Sequence, residues 1–210
     1  MIDKRDVFTS SGLDLVDEII ELYKGDDNIK ALDVGCGSGY SVNCLCEKGF
    51  DATGIDYCEE IINLGKEKYK NIDLQVMDAN NIDFPKNYFD LIIFECSLSI
   101  MKNPESILSN CKELLKQKGI ILLSDFYFKK SDNQDNTYTI DYWNTVFDEL
   151  NLKIIKFEDK YSEWRNFLGM VLWEYGDLSG LLMGNENDQI NKDILKKETG
   201  YFFTILKKED

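Results

Sequence analysis

Short apolar runs alternate with amphipathic stretches between residues 29 and 128 of the chain. Each run is the length of a buried strand, and each stretch repeats its apolar residues at helical spacing. The predicted strands cover residues 31–34, 52–56, 73–78, 88–95 and 119–128. The predicted helices cover residues 12–23, 40–48, 59–69 and 106–116. Parallel strands need crossover helices, so this alternation predicts a doubly wound α/β sheet.

The alternation changes after residue 128, where a polar stretch at 129–139 predicts a loop. Periodicity then predicts further elements: a helix at 140–150, a strand at 152–158, an aromatic-rich helix at 161–183, a short polar helix at 187–197 and a last strand at 201–207. We therefore expect a single domain over residues 1–210. Its mostly parallel seven-stranded sheet would hold five parallel strands and an antiparallel pair, and so an antiparallel terminal strand. A helical insertion would cover about 161–199, and the pattern leaves open whether it covers a site or fills the core.

A turn with glycine at every second position follows the first predicted strand, at Gly35, Gly37 and Gly39. Glycine adopts backbone angles closed to other residues and lets the main chain approach a ligand closely. Backbone N–H groups at the start of the next helix could bind such a ligand.

Two acids at strand ends extend this site. Asp56 ends the second predicted strand, and Asp78 ends the third. Ligands of open α/β sheets bind at the carboxyl ends of the strands, where one carboxylate can accept both ribose hydroxyls. Asp78 could accept from an exocyclic amine, with the Ala79 amide as a donor to a ring nitrogen. Turn and acids together predict a pocket for one adenosine.

The rival sites for a nucleotide fit less well. A dinucleotide turn needs a third glycine at position 40, where this chain has Tyr40. That glycine permits close packing of helix on strand, so tyrosine speaks against NAD. The phosphate-binding pattern G-x-x-x-x-G-K-[ST] does not occur in the sequence.

Composition narrows the partners. The formal charge is −15, and Arg5 and Arg165 are the only arginines. Because nucleic-acid binding needs clustered basic residues, we expect no nucleic-acid partner. No apolar run approaches membrane-spanning length and no export signal is seen, so we expect no membrane association and a cytoplasmic location. Six cysteines without C-x-x-C spacing and without any histidine predict structural thiols and no metal site. The oligomeric state is left open.

The residues described so far resemble the motifs of class I S-adenosylmethionine-dependent methyltransferases, in the manner of the broad small-molecule group. The matching stretches are 31–39, 54–57, 76–79, 89–98 and 114–122, with a weaker match at 200–203. The resemblance implies S-adenosyl-L-methionine as cofactor and S-adenosyl-L-homocysteine as product. It also implies methyl transfer to a small-molecule acceptor.

Carried over residue by residue, the resemblance implies a set of cofactor contacts. The glycine turn, including Cys36, would meet the methionine part of the cofactor together with Asp33. Asp56 would hold the ribose, Tyr57 would pack on adenine, and Glu95 would lie near the amino-acid end. The adenine edge would meet Asp78 and Ala79. The N-terminal helix would cover the site in such folds, which adds Phe8, Thr9 and Gly12 as weaker candidates.

The acceptor side is less defined, and no catalytic residue is assigned. Histidine is absent from the chain, so any general base must be another residue, unless the acceptor arrives already nucleophilic. The substrate candidates are Cys96, Ser99, Tyr127 and Trp164. Two alternatives stay open: an arsenite or thiol methyltransferase that uses Cys96, and a non-catalytic S-adenosylmethionine-binding module.

Overall fold

The computed structural model describes residues 15–26, 28–129, 138–176 and 199–209. Within them, seven strands form one sheet. Their bounds are β1 Lys30–Val34, β2 Asp51–Asp56, β3 Asp73–Val76, β4 Phe89–Glu95, β5 Leu115–Phe128, β6 Leu152–Asp159 and β7 Thr199–Lys208. The helices are α1 Val16–Leu22, α2 Tyr40–Glu47, α3 Glu59–Lys68, α4 Pro104–Leu114, α5 Ile140–Glu149 and α6 Tyr161–Tyr175. Two short 3₁₀ turns lie at Ala79–Asn81 and Leu98–Ile100.

The strand order across the sheet is β3-β2-β1-β4-β5-β7-β6. β1 pairs in parallel with both β2 and β4, and the parallel pairing continues to β3 on one side and β5 on the other. β7, the last strand in the chain, inserts antiparallel between β5 and β6. The predicted fold class, a doubly wound and mostly parallel seven-stranded sheet with an antiparallel terminal strand, is confirmed.

Helices cover both faces of this sheet, and each face has its own apolar core. One core joins the strands to α4 and α5 through residues such as Ile107 and Trp143. The other joins them to α1, α2 and α3 through Ile19, Leu45 and Ile62. Burial on both faces explains why the central strands read as nearly continuous apolar runs.

Several element ends differ from the predicted bounds. α4 begins at Pro104, two residues before the prediction, because proline at the first helical position already has a helical φ. β5 begins at Leu115 rather than 119, since Leu115 pairs with Phe89 before a bulge precedes the next pair, Leu91 with Ile120. The polar residues in that bulge hide the early strand from any apolar pattern.

The two helices predicted between residues 161 and 197 can be compared with the structure only in part. α6 covers 161–175 of the predicted 161–183 helix. The remainder of that helix and the predicted helix at 187–197 lie outside the described residues, as do Phe8, Thr9 and Gly12. The single domain with its helical insertion therefore stays a prediction. No helix of the described ranges has the length and apolar character needed to cross a membrane.

Candidate active site

The glycine turn connects β1 to α2 and is anchored on β2. All three of its glycines have positive φ, at +80° for Gly35, +54° for Gly37 and +79° for Gly39. The N–H groups of Gly35 and Cys36 both donate to the Ile55 carbonyl oxygen, at 2.8 and 3.0 Å. The Gly39 N–H closes the turn on the Cys36 oxygen at 2.9 Å. The sequence needs glycine here because L side chains rarely adopt such φ values.

The three glycines of the turn differ in how much space surrounds the position of a Cβ atom. A Cβ on Gly35 would lie 2.6 Å from the Ser97 Cβ, and one on Gly39 would lie 2.7 Å from a Leu74 methyl carbon. A Cβ on Gly37 would meet no heavy atom within 4 Å. The outer two glycines thus pack against protein, whereas the middle one faces open space.

Asp56 lies directly beside that open position. One carboxylate oxygen accepts the Gly37 N–H at 3.0 Å, and the other accepts the Cys58 N–H at 2.9 Å. The side chain is half-buried. Each oxygen keeps further acceptor capacity, so the carboxylate is fixed in place and can still bind hydroxyl groups.

Asp78 follows the neighbouring strand at the same edge of the sheet. Asp56 pairs with Val76, and the Met77 N–H donates to the Asp56 carbonyl oxygen at 2.9 Å. The Asp78 carboxylate accepts from the Asn80 backbone and side chain, both at 2.9 Å. These hydrogen bonds lower the pKa of Asp78, so it is charged at neutral pH.

Two further predicted contacts lie near these acids. Tyr57 is 78% exposed and lies just beyond the end of β2. Ala79 is half-buried and begins the 3₁₀ turn that Asp78 caps. Both therefore lie at the carboxyl edge of the sheet, on the side of β2 and β3.

Asp33 and Glu95 lie on the face of the sheet that α1 and α2 cover. Asp33 pairs with Ile93, so Glu95, two residues on, shares its face. Asp33 is 4% exposed. Glu95 accepts the Leu15 N–H at 3.2 Å and the Ser41 hydroxyl at 3.0 Å. Glu95 therefore joins the start of α1 to α2, beside the glycine turn.

Burial raises the pKa of the Cys36 thiol, and the negative charges of Asp33 and Asp56 raise it further. Its Sγ lies 3.6 Å from the Gly37 carbonyl oxygen. A thiol with a raised pKa stays protonated at neutral pH and is a poor nucleophile. Cys36 thus contributes volume and a weak hydrogen bond to the turn.

Cys96, directly after β4, has a positive φ of 52° although it is not glycine. Its N–H donates to the Ser124 carbonyl oxygen at 2.8 Å, and its Sγ lies 3.1 Å from the Tyr201 hydroxyl oxygen. Tyr201 in turn donates to the Ser124 hydroxyl at 2.8 Å. Burial, with the nearby Cys96 and Glu95, raises the pKa of Tyr201, so its hydroxyl keeps its proton.

The remaining substrate candidates are bonded to other parts of the protein. Ser99 is buried and donates to Asp125 from its hydroxyl at 2.6 Å. The Tyr127 hydroxyl donates to Asp159 at 3.0 Å. The Trp164 indole N–H donates to the Thr199 hydroxyl at 3.1 Å. The Trp164 ring also stacks on Tyr201, with 5.4 Å between the ring centroids.

Sequence reasoning missed Ser41, Asp125 and Tyr201 at this site. Asp125 carried a signal, since it is the only charged residue in the predicted strand from Gly119 to Phe128. Tyr201 carried none, because its partner Cys96 lies 105 positions away. Among the described residues, no three Cys, Asp or Glu side chains form a group that could hold a metal ion.

Comparison with known proteins identifies the family. The sequence model of a methyltransferase domain matches residues 25–177, more than half of the chain. The chain belongs to the class I S-adenosylmethionine-dependent methyltransferases. The family resemblance expected from the sequence motifs is thereby confirmed.

Curated relatives of this methyltransferase share about a quarter to a third of the aligned residues. The phosphoethanolamine N-methyltransferase of Plasmodium falciparum is 26% identical over 178 residues, covering 76% of this chain and 67% of its own length. The phosphatidylethanolamine N-methyltransferase of Cereibacter sphaeroides is 26% identical over 104 residues, covering 47% and 51%. A ubiquinone biosynthesis O-methyltransferase of Coxiella burnetii is 31% identical over 97 residues, covering 44% and 42%. The chain thus spans two thirds of the first relative and about half or less of the others.

Solved structures share the fold at lower identity. The phosphoethanolamine N-methyltransferase 2 of Haemonchus contortus, in complex with S-adenosyl-L-methionine, superposes with a TM-score of 0.70 and 14% identity. The match covers 100% of this chain and 61% of that one. The [4+2]-cyclase SpnF superposes with a TM-score of 0.74 and 17% identity, covering 99% and 85%. This fold also occurs in a cyclase, so the fold alone does not indicate methyl transfer, whereas the family does.

Proposed function

We propose that this methyltransferase binds S-adenosyl-L-methionine at the carboxyl edge of β1 to β4 and methylates a small-molecule acceptor. The observation that carries the proposal is the open backbone at Gly37 with the Asp56 carboxylate bonded to it. A glycine whose Cβ position faces open space, beside a preoriented acid, suits a ligand with a ribose at that point.

The residues present fit the cofactor from end to end. Asp56 would accept from the ribose hydroxyls, and Tyr57 would cover the adenine ring. Asp78 and Ala79 would bind the adenine edge. The turn from Gly35 to Gly39 would run along the amino-acid portion, with Asp33 and Glu95 on the face beneath it. Hydrogen bonds already hold the carboxylates of Asp56, Asp78 and Glu95 in place, which lowers the cost of ordering them on binding.

When bound, S-adenosyl-L-methionine supplies a methyl group on a positively charged sulfur. The chain then has to hold the acceptor atom near that carbon and in line with the leaving sulfur. The buried carboxylate of Asp33 and the half-buried carboxylate of Glu95 would stabilise the positive charge of the bound cofactor. Both carboxylates would act through their charge and position, without forming a bond to the methyl group.

The acceptor that we favour is a small amine. One relative, which aligns with 76% of this chain, is named a phosphoethanolamine N-methyltransferase. The chain has no histidine, and the Tyr201 hydroxyl keeps its proton because its pKa is raised. An amine needs less help than an alcohol, because its neutral form is nucleophilic without a strong base.

A methyl-transfer assay tests this proposal. Purified protein would be incubated with S-adenosyl-L-methionine carrying a labelled methyl group and a panel of amines, phenols and thiols that includes phosphoethanolamine. We expect labelled product with an amine, in step with S-adenosyl-L-homocysteine formation. Asp56→Ala, which lacks the proposed ribose-binding carboxylate, should lose most of the methyl-transfer rate at low cofactor concentration. Tight cofactor binding without product on any acceptor would instead favour the non-catalytic binding module.

A further inference from the structure

The loop that follows β4, at residues 96–103, packs against the glycine turn. The Ser97 hydroxyl donates to the Val34 carbonyl oxygen at 2.7 Å, just before Gly35. The Cβ position of Gly35 is already crowded by the Ser97 Cβ at 2.6 Å and the Met101 Cε at 2.7 Å. Because protein interiors are close-packed, a shift of this loop must move the turn.

Asp125 holds the same loop from the other side. This residue of β5 is completely buried. Its carboxylate accepts from the Ser99 N–H at 2.9 Å and from the Ser99 hydroxyl at 2.6 Å. The backbone of Leu98 donates to it as well, and a fourth donor is the Phe126 N–H at 2.9 Å. Three of the four donors therefore belong to the 3₁₀ turn within the loop.

Hydrogen bonds to a charged acceptor are stronger than those between neutral groups. Removing the carboxylate would leave several buried donors without an acceptor. The 3₁₀ turn at Leu98–Ile100 would then relax, and with it Ser97 and Met101, which lie on either side of that turn.

We propose that Asp125 is a positioning residue for the cofactor: through Ser99 it fixes the loop that holds Ser97 and Met101 against Gly35. This inference rests on the proposed function, since it concerns the turn that would bind S-adenosyl-L-methionine. It assigns Ser99 to the support of that loop rather than to contact with the acceptor.

The test measures binding of S-adenosyl-L-homocysteine by calorimetry, together with thermal unfolding of each variant. Asp125→Asn should weaken binding about tenfold or more, as expected for buried donors left without a charged acceptor. Ser99→Ala removes one donor and should weaken binding about three- to fivefold. Since both act through one contact, the double variant should bind no more weakly than Asp125→Asn alone.

Asp90→Asn is the matched control at the opposite end of β4. Its carboxylate accepts from the Lys30 N–H at 3.0 Å and the Lys116 ammonium at 2.7 Å, far from the glycine turn. This variant should lower the unfolding temperature and leave the affinity within about twofold of wild type, because sites without shared partners act independently. Loss of affinity in step with loss of stability across all the variants would overturn the proposal.

Amide hydrogen exchange at individual residues reports local loosening, which a general loss of stability would not confine to one loop. In Asp125→Asn and Ser99→Ala, exchange should accelerate at residues 97–101 and at residues 34–37, and Asp90→Asn should not show this pattern. If Asp125→Asn does not fold, Ser99→Ala decides the matter by the same two measurements. Unchanged exchange at 34–37 overturns the positioning role. Failure of the wild-type protein to bind S-adenosyl-L-homocysteine would instead overturn the proposed function, and exchange still tests the support of the turn.

Discussion

The carboxylate of Asp56 accepts a hydrogen bond from the backbone N–H of Gly37 at 3.0 Å, across the ends of two neighbouring strands. The other oxygen of the same carboxylate is held by the Cys58 N–H. The acid that would bind a ribose and the turn that would bind the amino-acid portion are therefore locked together before any ligand arrives. Such preorganisation removes part of the ordering cost of binding.

The glycine turn allows fold and ligand effects to be separated by a matched pair of substitutions. Gly37→Ala and Gly39→Ala both force alanine into the left-handed region, at a cost of about 1–2 kcal/mol. Gly39→Ala should lose ~1–3 kcal/mol more, because its new Cβ would crowd Leu74 at 2.7 Å. Urea unfolding measures both free energies.

Ligand binding should be weakened more by Gly37→Ala than by Gly39→Ala, the opposite of the order expected for stability. The Gly37→Ala methyl group would point into the open space at the turn, and binding of S-adenosyl-L-homocysteine should fall about tenfold or more. Titration calorimetry on the folded fraction of each variant gives the comparison. If Gly37→Ala bound as tightly as wild type, no ligand would lie against that glycine.

Cys96→Ser tests whether the thiol takes part in chemistry. Serine keeps a hydroxyl beside Tyr201 and inherits the same positive φ. If the acceptor is an amine and the thiol takes no part in the reaction, kcat and KM for the preferred acceptor should both stay within about threefold of wild type. Steady-state kinetics measure this, with Cys111→Ser as a comparison at a buried thiol remote from the turn. A loss of activity confined to Cys96→Ser would favour the thiol or arsenite alternative.

Asp125 should make the folded state more stable at acid pH. Burial raises the pKa of its carboxyl to about 6, against an ordinary value of 3.8. The folded protein therefore binds this proton more tightly than the unfolded chain does. The resulting stabilisation is fully present below about pH 4 and is lost as the pH rises through 6.

The unfolding free energies of wild type and Asp125→Asn, measured by urea denaturation between pH 4 and pH 7, isolate this contribution. The free energy of wild type relative to the variant should rise by about 2–3 kcal/mol as the pH falls from 7 to 4. The carboxyl groups common to both proteins cancel in this difference. A difference that stayed constant, or that fell with acidification, would mean that the carboxyl pKa is not raised.

Local sequence pattern was enough to predict the elements that carry the proposed cofactor contacts. The helix predicted at 40–48 is found at Tyr40–Glu47, and the second strand predicted at 52–56 is found at Asp51–Asp56. In both places the positions of glycine and the spacing of apolar residues agree with the tertiary packing, so the local preference of the sequence determines the structure. The order in which glycines and acids follow those strands then placed them at one edge of the sheet.

Contacts between distant parts of the chain were beyond such reasoning. Ser99 and Asp125 lie 26 positions apart, and Cys96 and Tyr201 lie 105 apart. The second pair depends on the insertion of β7 beside β5, which aligns Tyr201 with Phe126. Periodicity gives the existence of a strand and not its neighbours, so the buried polar groups behind the glycine turn emerged only in the structure.

Calorimetric titration of S-adenosyl-L-homocysteine into wild type and Asp56→Ala tests most directly whether one adenosine is held between the glycine turn and Asp56. We expect one site per chain in the wild-type protein. Loss of the carboxylate should weaken binding by about 2–3 kcal/mol, since a charge-assisted acceptor for two hydroxyls is removed. Equal affinities in the two proteins, or no binding to the wild type, would contradict the account.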